Sequence, residues 1–338
     1  MNSHASRPPV TKAAADYAAY AVLRVVIAVI QALPLSACEQ AADMLGKLVG
    51  GLLGFRRRLV DENLTLALPE ATPAQRRVVA QAMWRHLFLM VAEIAHAPRA
   101  VHRTTWRRHC RVRQMRETVA TLLQDRPKVV ISGHYSNFEF GGFMLGLFGF
   151  PSHTVARSLD NPYVDRFVND FRGRTGQHML PKHGSREAIE TLLSSGGTLT
   201  LLGDQAAGDK ACWVNFFGKP ASTHKAVALF TLGYDAPTLV TATRRIGGPL
   251  QFEIELADQV DPLAEGFPYG SVPALTEWYT GQLERMILKA PEQYWWVHRR
   301  WKGTPPPRAL KRLSQQASTQ GQAAATETTA PQGTTADA

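Results

Sequence analysis

The chain has 338 residues, 45% of them hydrophobic and 20% charged, with a formal net charge of +10. That length buries a substantial core and that balance excludes a disordered chain, while the positive excess points to an anionic partner: nucleic acid, anionic lipid or an acidic carrier protein. Cys38, Cys110 and Cys212 are odd in number and far apart, which argues for a reducing compartment and against a disulfide framework or a CxxC metal knuckle.

Residues 1–12 read as a flexible N-terminus, and 13–126 as a helical, membrane-associating region. The stretch 13–33 is rich in Ala, Val, Leu and Ile and stops before Pro34; it is close to the roughly 20 apolar residues that cross a bilayer. Asp16, Arg24 and Gln31 interrupt it. On a helix Tyr17, Arg24 and Gln31 recur at a heptad interval and form one narrow polar stripe. That pattern favours a helix lying in the membrane interface, or packed on a partner, over a free span; an amphipathic core helix is the alternative. A signal peptide fits in outline but lacks a convincing small-residue cleavage site. Gly46, Gly50, Gly51 and Gly54 alternate with apolar residues, and Arg56-Arg57-Arg58 follow. The triplet reads equally well as a grip on lipid headgroups and as a solvated charge run. Thr72-Pro73 supplies the N-cap and first residue of a helix through Ile94.

From 127 the rhythm changes. The run 129–132 reads as a buried strand. Asn161-Pro162 opens a helix ending near Gly173, Ser185 opens another ending at Gly196-Gly197, and 199–202 is a second strand. Thr223 opens a helix to about Gly233, strands follow at 239–242 and 252–256, and Pro273 begins a last long helix. This alternation predicts an α/β fold over 127–307: a mixed, largely parallel sheet flanked by helices, continuous with the helical region as one domain. Beyond Pro307 the residues are mostly Gln, Ala, Thr and Gly with no aromatic, so 308–338 are expected to be a disordered tail.

The central signal is Gly133-His134-Tyr135-Ser136-Asn137-Phe138-Glu139. The strand at 129–132 delivers His134 to its carboxyl edge, where open α/β sheets place their active sites. Ser136 or Asn137 caps the next helix, and Glu139 falls in its first turn, where the helix dipole favours an ionised carboxylate. A carboxylate beside an imidazole fixes its tautomer and leaves the other ring nitrogen to take a proton from an alcohol. A histidine alone is more often structural; with a carboxylate five residues on across a strand-to-helix turn, the catalytic reading rests chiefly on the resemblance that follows.

This segment resembles the H-x4-D/E motif of the glycerolipid acyltransferase superfamily, and its Glu form is similar to that of the bacterial lipid A biosynthesis (lauroyl/myristoyl) acyltransferases. Glu62-Asn63-Leu64 with Pro69-Glu70, Arg157 followed by Asn161-Pro162, and Asp204-Gln205 followed by Gly208 match in order and spacing. So do Phe216-Phe217-Gly218-Lys219-Pro220 before Thr223 and the ending from Pro291 to Lys302. The match covers about 17–305. Ala206 stands where many members carry Asp, and Tyr135-Ser136 replaces a commoner bulky-plus-glycine pair. The resemblance implies acyl transfer at the cytoplasmic face of the inner membrane, from an acyl carrier protein or coenzyme A thioester to a hydroxyl of a lipid A-type glycolipid, with no metal or other cofactor. It implies His134 as general base oriented by Glu139. Substrate-binding candidates are Arg157, which would hold the oxyanion or an acceptor phosphate, with Asn161, Arg172, Arg174, Asp204 and Gln205. The family also contains phosphoinositol mannoside acyltransferases, and such a glycolipid or another lysolipid is the alternative acceptor.

Other classes fit less well. A hydrolase lacks its Gly-x-Ser-x-Gly elbow. Trp295, Trp296 and Trp301 among Arg299, Arg300 and Lys302 suit a membrane interface or a packed core. They would also suit a nucleic-acid groove, but no known module accompanies them, so nucleic acid is not an expected partner. A non-enzymatic membrane-binding protein would tolerate loss of His134.

Overall fold

Aliphatic runs that are buried on both faces make the inner strands of parallel sheets, and Val129, Val130 and Ile131 are all buried. In the computed structural model, which describes residues 10–182, 184–208 and 211–316, they form β2 (Lys128–Ser132) at the middle of the main sheet. Its other strands are β1 (Cys110–Val112), β3 (Ser152–Ala156), β4 (Gln177–Pro181), β5 (Thr198–Leu202), β8 (Thr238–Arg245) and β9 (Phe252–Val260). The order is β1-β9-β8-β2-β5-β3-β4, and every pair is parallel except β8 with β9. The expected mixed, largely parallel sheet is therefore present. A separate hairpin, β6 (Cys212–Phe216) and β7 (Lys219–Thr223), turns at Phe217-Gly218, both at positive φ, as a tight two-residue turn requires.

Helices cover the sheet: α5 (Met115–Leu122), α6 (Phe138–Leu147), α7 (Pro162–Gly173), α8 (Arg186–Ser194), α9 (Ala226–Gly233) and α10 (Val272–Lys289). The connection from β2 through α6 to β3 skips over β5, so β2 lies where the chain path reverses and opens a crevice at the strands' carboxyl ends.

The N-terminal helices are α1 (Val10–Ala32), α2 (Leu35–Gly46), α3 (Arg57–Ala67) and α4 (Pro73–Ala100), with a π-helical segment at Lys47–Leu52. The α4 start is as expected: Thr72 and Gln75 form a reciprocal capping box with Pro73 in the first turn. The helix then runs past Ile94 to Ala100. Val60, Leu64 and Ala67 of α3 and Met83 and Trp84 of α4 share one hydrophobic cluster with Val129, Ile131 and Val240 of the sheet. Helical region and sheet thus pack a common core.

Helix α1 is different. Val22, Val25, Val26 and Val29 are exposed, while part of its polar stripe meets the rest of the fold, although Tyr17 and Arg24 stay exposed themselves. Gln31 donates to the Ala95 carbonyl, the Arg24 guanidinium lies over Phe167, and Tyr17 and Tyr20 meet Tyr163. Among the described residues, α1 and α4 are long and apolar enough to cross a membrane, but α4 is partly buried in the core whereas the apolar window of α1 is not.

At the other end, residues 307–316 are helical. Ala309 and Leu313 are buried and Arg312 donates to the Trp213 carbonyl, so the segment expected to be disordered from 308 begins with an ordered helix. Residues 317–338 of that tail and 1–9 of the expected flexible N-terminus lie outside the described residues.

Candidate active site

His134 lies two residues beyond β2, on a turn held from both sides. Asn137 caps α6, its side-chain oxygen accepting from the Phe140 N–H at 3.1 Å, and Ser136 adopts a left-handed φ of 50°. The segment after α10 clamps the turn: the Ser136 N–H donates to the Gln293 carbonyl at 2.7 Å, and the Trp295 N–H to the His134 carbonyl at 3.1 Å. Behind it a buried Glu93–Arg245 pair, closed by two bonds of 2.7 and 2.6 Å, holds the Asn137 amide at 3.2 Å. Leaving one partner of such a pair uncompensated is costly, so α4 and β8 fix the turn that carries His134 rigidly.

The carboxylate on the imidazole is that of Asp204. Its Oδ1 lies 2.8 Å from His134 Nδ1, and its Oδ2 accepts the His134 backbone N–H at 2.7 Å. Parallel register explains the meeting: Ser132 of β2 pairs with Leu202 of β5, and Gly203 N–H donates to the Ser132 carbonyl. Two residues further on, His134 and Asp204 emerge side by side. Gly133 permits the approach, since a Cβ there would sit 3.2 Å from Asp204 Oδ2. The Asp204 side chain is 1% exposed and that of His134 13%. Tyr294 also hydrogen-bonds to Asp204.

Glu139 does not orient His134, as the motif implied. It stands in the first turn of α6, but Arg172 from the last turn of α7 forks onto it, Nε to Oε2 at 2.9 Å and Nη2 to Oε1. Its influence on the ring is by charge alone. Burial opposes a charged imidazole, but the Asp204 carboxylate, by charge and hydrogen bond, and then Glu139 hold the His134 pKa above its ordinary value. Burial alone would raise that of Asp204; the imidazole and the His134 N–H draw it down to about 2.

With Asp204 ionised, Nδ1 carries the proton and Nε2 presents its lone pair. The Gln205 amide, 3.1 Å away, donates to that lone pair, and a substrate hydroxyl taking its place would find a base already in the right tautomer. The rings of Phe138, Trp295 and His298 surround the imidazole with centroids 5.1–5.4 Å from it.

Of the other expected substrate-binding residues, Arg172, Asp204 and Gln205 converge on this site. Arg157 is exposed and pairs with exposed Asp160. Asn161 caps α7, accepting from the Tyr163 and Val164 N–H groups, and ties down α1 by donating to the Asp16 carbonyl. Arg174 is exposed just past α7. Among the described residues none of these three hydrogen-bonds or ion-pairs with His134, Glu139 or Asp204. Tyr294 and His298 were missed as site residues, although the aromatic, basic ending that carries them was the available signal.

A cavity of about 400 Å³ lies between α6 and the sheet, with Phe138 and Glu139 at its border. Phe138, Gly141, Gly142 and Leu145 of α6 form one wall; Leu201, Leu239 and Ile254 lie on the other; Arg172 also borders it. It is mostly apolar, has the size of a small-molecule pocket, and Phe138 is common to it and to the His134 surround.

Comparison with known proteins identifies the family. The chain is 25% identical over 271 residues to the lipid A biosynthesis palmitoleoyltransferase of Escherichia coli (strain K12), covering 77% of this chain and 83% of that one. It is 25% identical over 268 residues to the lipid A biosynthesis lauroyltransferase of the same organism, covering 77% and 84%. The crystal structure of the 1-acyl-sn-glycerophosphate (LPA) acyltransferase PlsC from Thermotoga maritima superposes with a TM-score of 0.36 at 15% identity, over 78% of this chain and all of that one. The family model described as bacterial lipid A biosynthesis acyltransferase matches residues 9–303, nearly the whole described chain, and the protein is therefore an acyltransferase of that family.

Proposed function

We propose that the protein transfers a fatty acyl group from an acyl carrier protein or coenzyme A thioester to a hydroxyl of a lipid A-type glycolipid, at the cytoplasmic face of the inner membrane. One observation carries the catalytic reading: His134 has Nδ1 engaged by a buried, ionised carboxylate and Nε2 turned to a polar donor beside an apolar cavity. In the proposed reaction Nε2 takes the acceptor's hydroxyl proton as the oxygen attacks the thioester carbonyl. Asp204 stabilises the imidazolium that forms. Collapse of the tetrahedral adduct breaks the C–S bond, and the imidazolium returns its proton to the leaving thiolate, so the base is regenerated and the thioester is the sole co-substrate. The cavity behind Phe138 receives the acyl chain, where each buried methylene contributes about 0.8 kcal/mol. Exposed valines on α1 would seat the molecule at the bilayer, keeping both lipid substrates at one surface.

The test is transfer of a labelled acyl group from its thioester to membrane glycolipid by purified protein. We expect His134→Ala to lower the rate about 10²- to 10⁴-fold, the usual worth of a general base, with the variant still folded by circular dichroism. Transfer at the wild-type rate would remove this reading.

A further inference from the structure

Bordered by His298 lies a second, larger concavity of about 1090 Å³, between α3 and the chain's aromatic, basic ending. Five cations line it: Arg56, Arg57, Arg58, Arg299 and Lys302. Glu62 is its one acidic wall residue and already pairs with Arg58 at 2.8 Å. Arg56 is steadied by donating to the Val297 carbonyl at 2.7 Å. Among the described residues, the side chains of Arg57, Arg299 and Lys302 have neither a hydrogen-bond nor an ion-pair partner, and all three residues are exposed. The fold has therefore gathered several unneutralised positive charges around one concavity. Mutual repulsion makes that arrangement unfavourable unless an anion shares it, and guanidinium forks match phosphate oxygens.

Position names the source of the phosphate. The chain entering the groove carries Leu52, Leu53 and Phe55, which are exposed at 80%, 65% and 54%. An apolar surface suited to hydrocarbon thus runs straight into the cationic wall, with the Trp301 indole beside it, as at a membrane–water interface. A lipid whose chains stay in the bilayer would bring its headgroup here. His298 is the link to chemistry: it lines the groove, and its ring centroid lies 5.2 Å from that of His134.

We infer that this groove is the binding site for a phosphate group on the headgroup of a membrane lipid, held by Arg57, Arg299 and Lys302 beside His298. The inference rests on the proposed function in taking the acceptor to be a membrane lipid, and it adds where that lipid's phosphate sits.

Vesicle sedimentation with the full chain tests it without any acyl donor. The probes are phosphatidylcholine vesicles carrying phosphatidic acid, and vesicles carrying an equal surface charge of cholesteryl hemisuccinate, whose anion is a carboxylate. The wild type and His134→Ala should both prefer the phosphatidic acid vesicles by on the order of tenfold, and the triple variant R57A/R299A/K302A should lose that preference, since each basic residue near an anionic surface strengthens binding severalfold. Single Arg299→Ala, at an exposed and unpartnered position, should lose part of it. The inference is overturned if the triple variant keeps the preference, if the wild type has none, or if inorganic phosphate at the lipid's concentration abolishes binding, which would make the ligand a free anion. Because His134→Ala serves as a positive arm, loss of catalysis and loss of this site are read separately.

Discussion

At the scale of residues, the proposed reaction depends on which carboxylate governs His134. Asp204 is bonded to the ring, and Glu139 acts on it only through space. Since the proposed mechanism needs a neutral His134 and its pKa is held above the ordinary value, kcat/KM should fall as pH drops through a point higher than that of a free imidazole. Asp204→Asn removes the larger charge and the bond that fixes the tautomer. It should move this acid limb to lower pH and lower kcat by about 10²- to 10⁴-fold. Glu139→Gln removes a more distant charge and should move the limb in the same direction by less. A pH profile in which Glu139→Gln gives the larger displacement would contradict the assignment of Asp204 as the orienting group. The sequence could expose His134, Asn137 and Glu139, because they belong to one local strand–turn–helix. The meeting with Asp204 depends on β2 and β5 being neighbours in register, so Asp204 was visible as a substrate-binding candidate after a strand but not as the partner of His134.

At the scale of elements, α6 is squeezed between the site and α7. A Cβ on Gly146 would overlap the Thr175 carbonyl, which is backbone and cannot swing aside, whereas one on Gly281 of α10 would meet nothing within 4 Å. Gly146→Ala should therefore destabilise the protein by about 1–3 kcal/mol through overpacking, and Gly281→Ala should stabilise it by about 1 kcal/mol through helix propensity. Urea unfolding of both variants checks the pair; the same sign in each would contradict the packing described. Periodicity and punctuation made most of the helices legible, with Thr72-Pro73 and Asn161-Pro162 starting where their caps predict. β3 and β4 were not legible, because Ser152, His153 and Thr154 in one and Gln177 and His178 in the other break any apolar pattern at that edge of the sheet. The helix at 307–316 escaped for a similar reason: Ala309 and Leu313 are a sparse apolar pair whose burial comes from contacts distant in sequence.

At the scale of the whole molecule, one hydrophobic core joins the helical region to the sheet: α3, which begins within the run Arg56–Arg58, and α4 pack on the strand that leads to His134. The net charge of +10 foretold an anionic partner from composition, but its concentration around one groove beside the base required tertiary structure. If the molecule acylates a membrane glycolipid, disrupting its gene must leave a defined chemical gap. The most direct measurement is mass spectrometry of total lipids from such a strain, complemented with wild-type protein or with His134→Ala. The account predicts one lipid A-type glycolipid lighter by a single fatty acyl group, restored by the wild type and unrestored by His134→Ala. An unchanged acyl count in that lipid class, or equal restoration by both proteins, would contradict it.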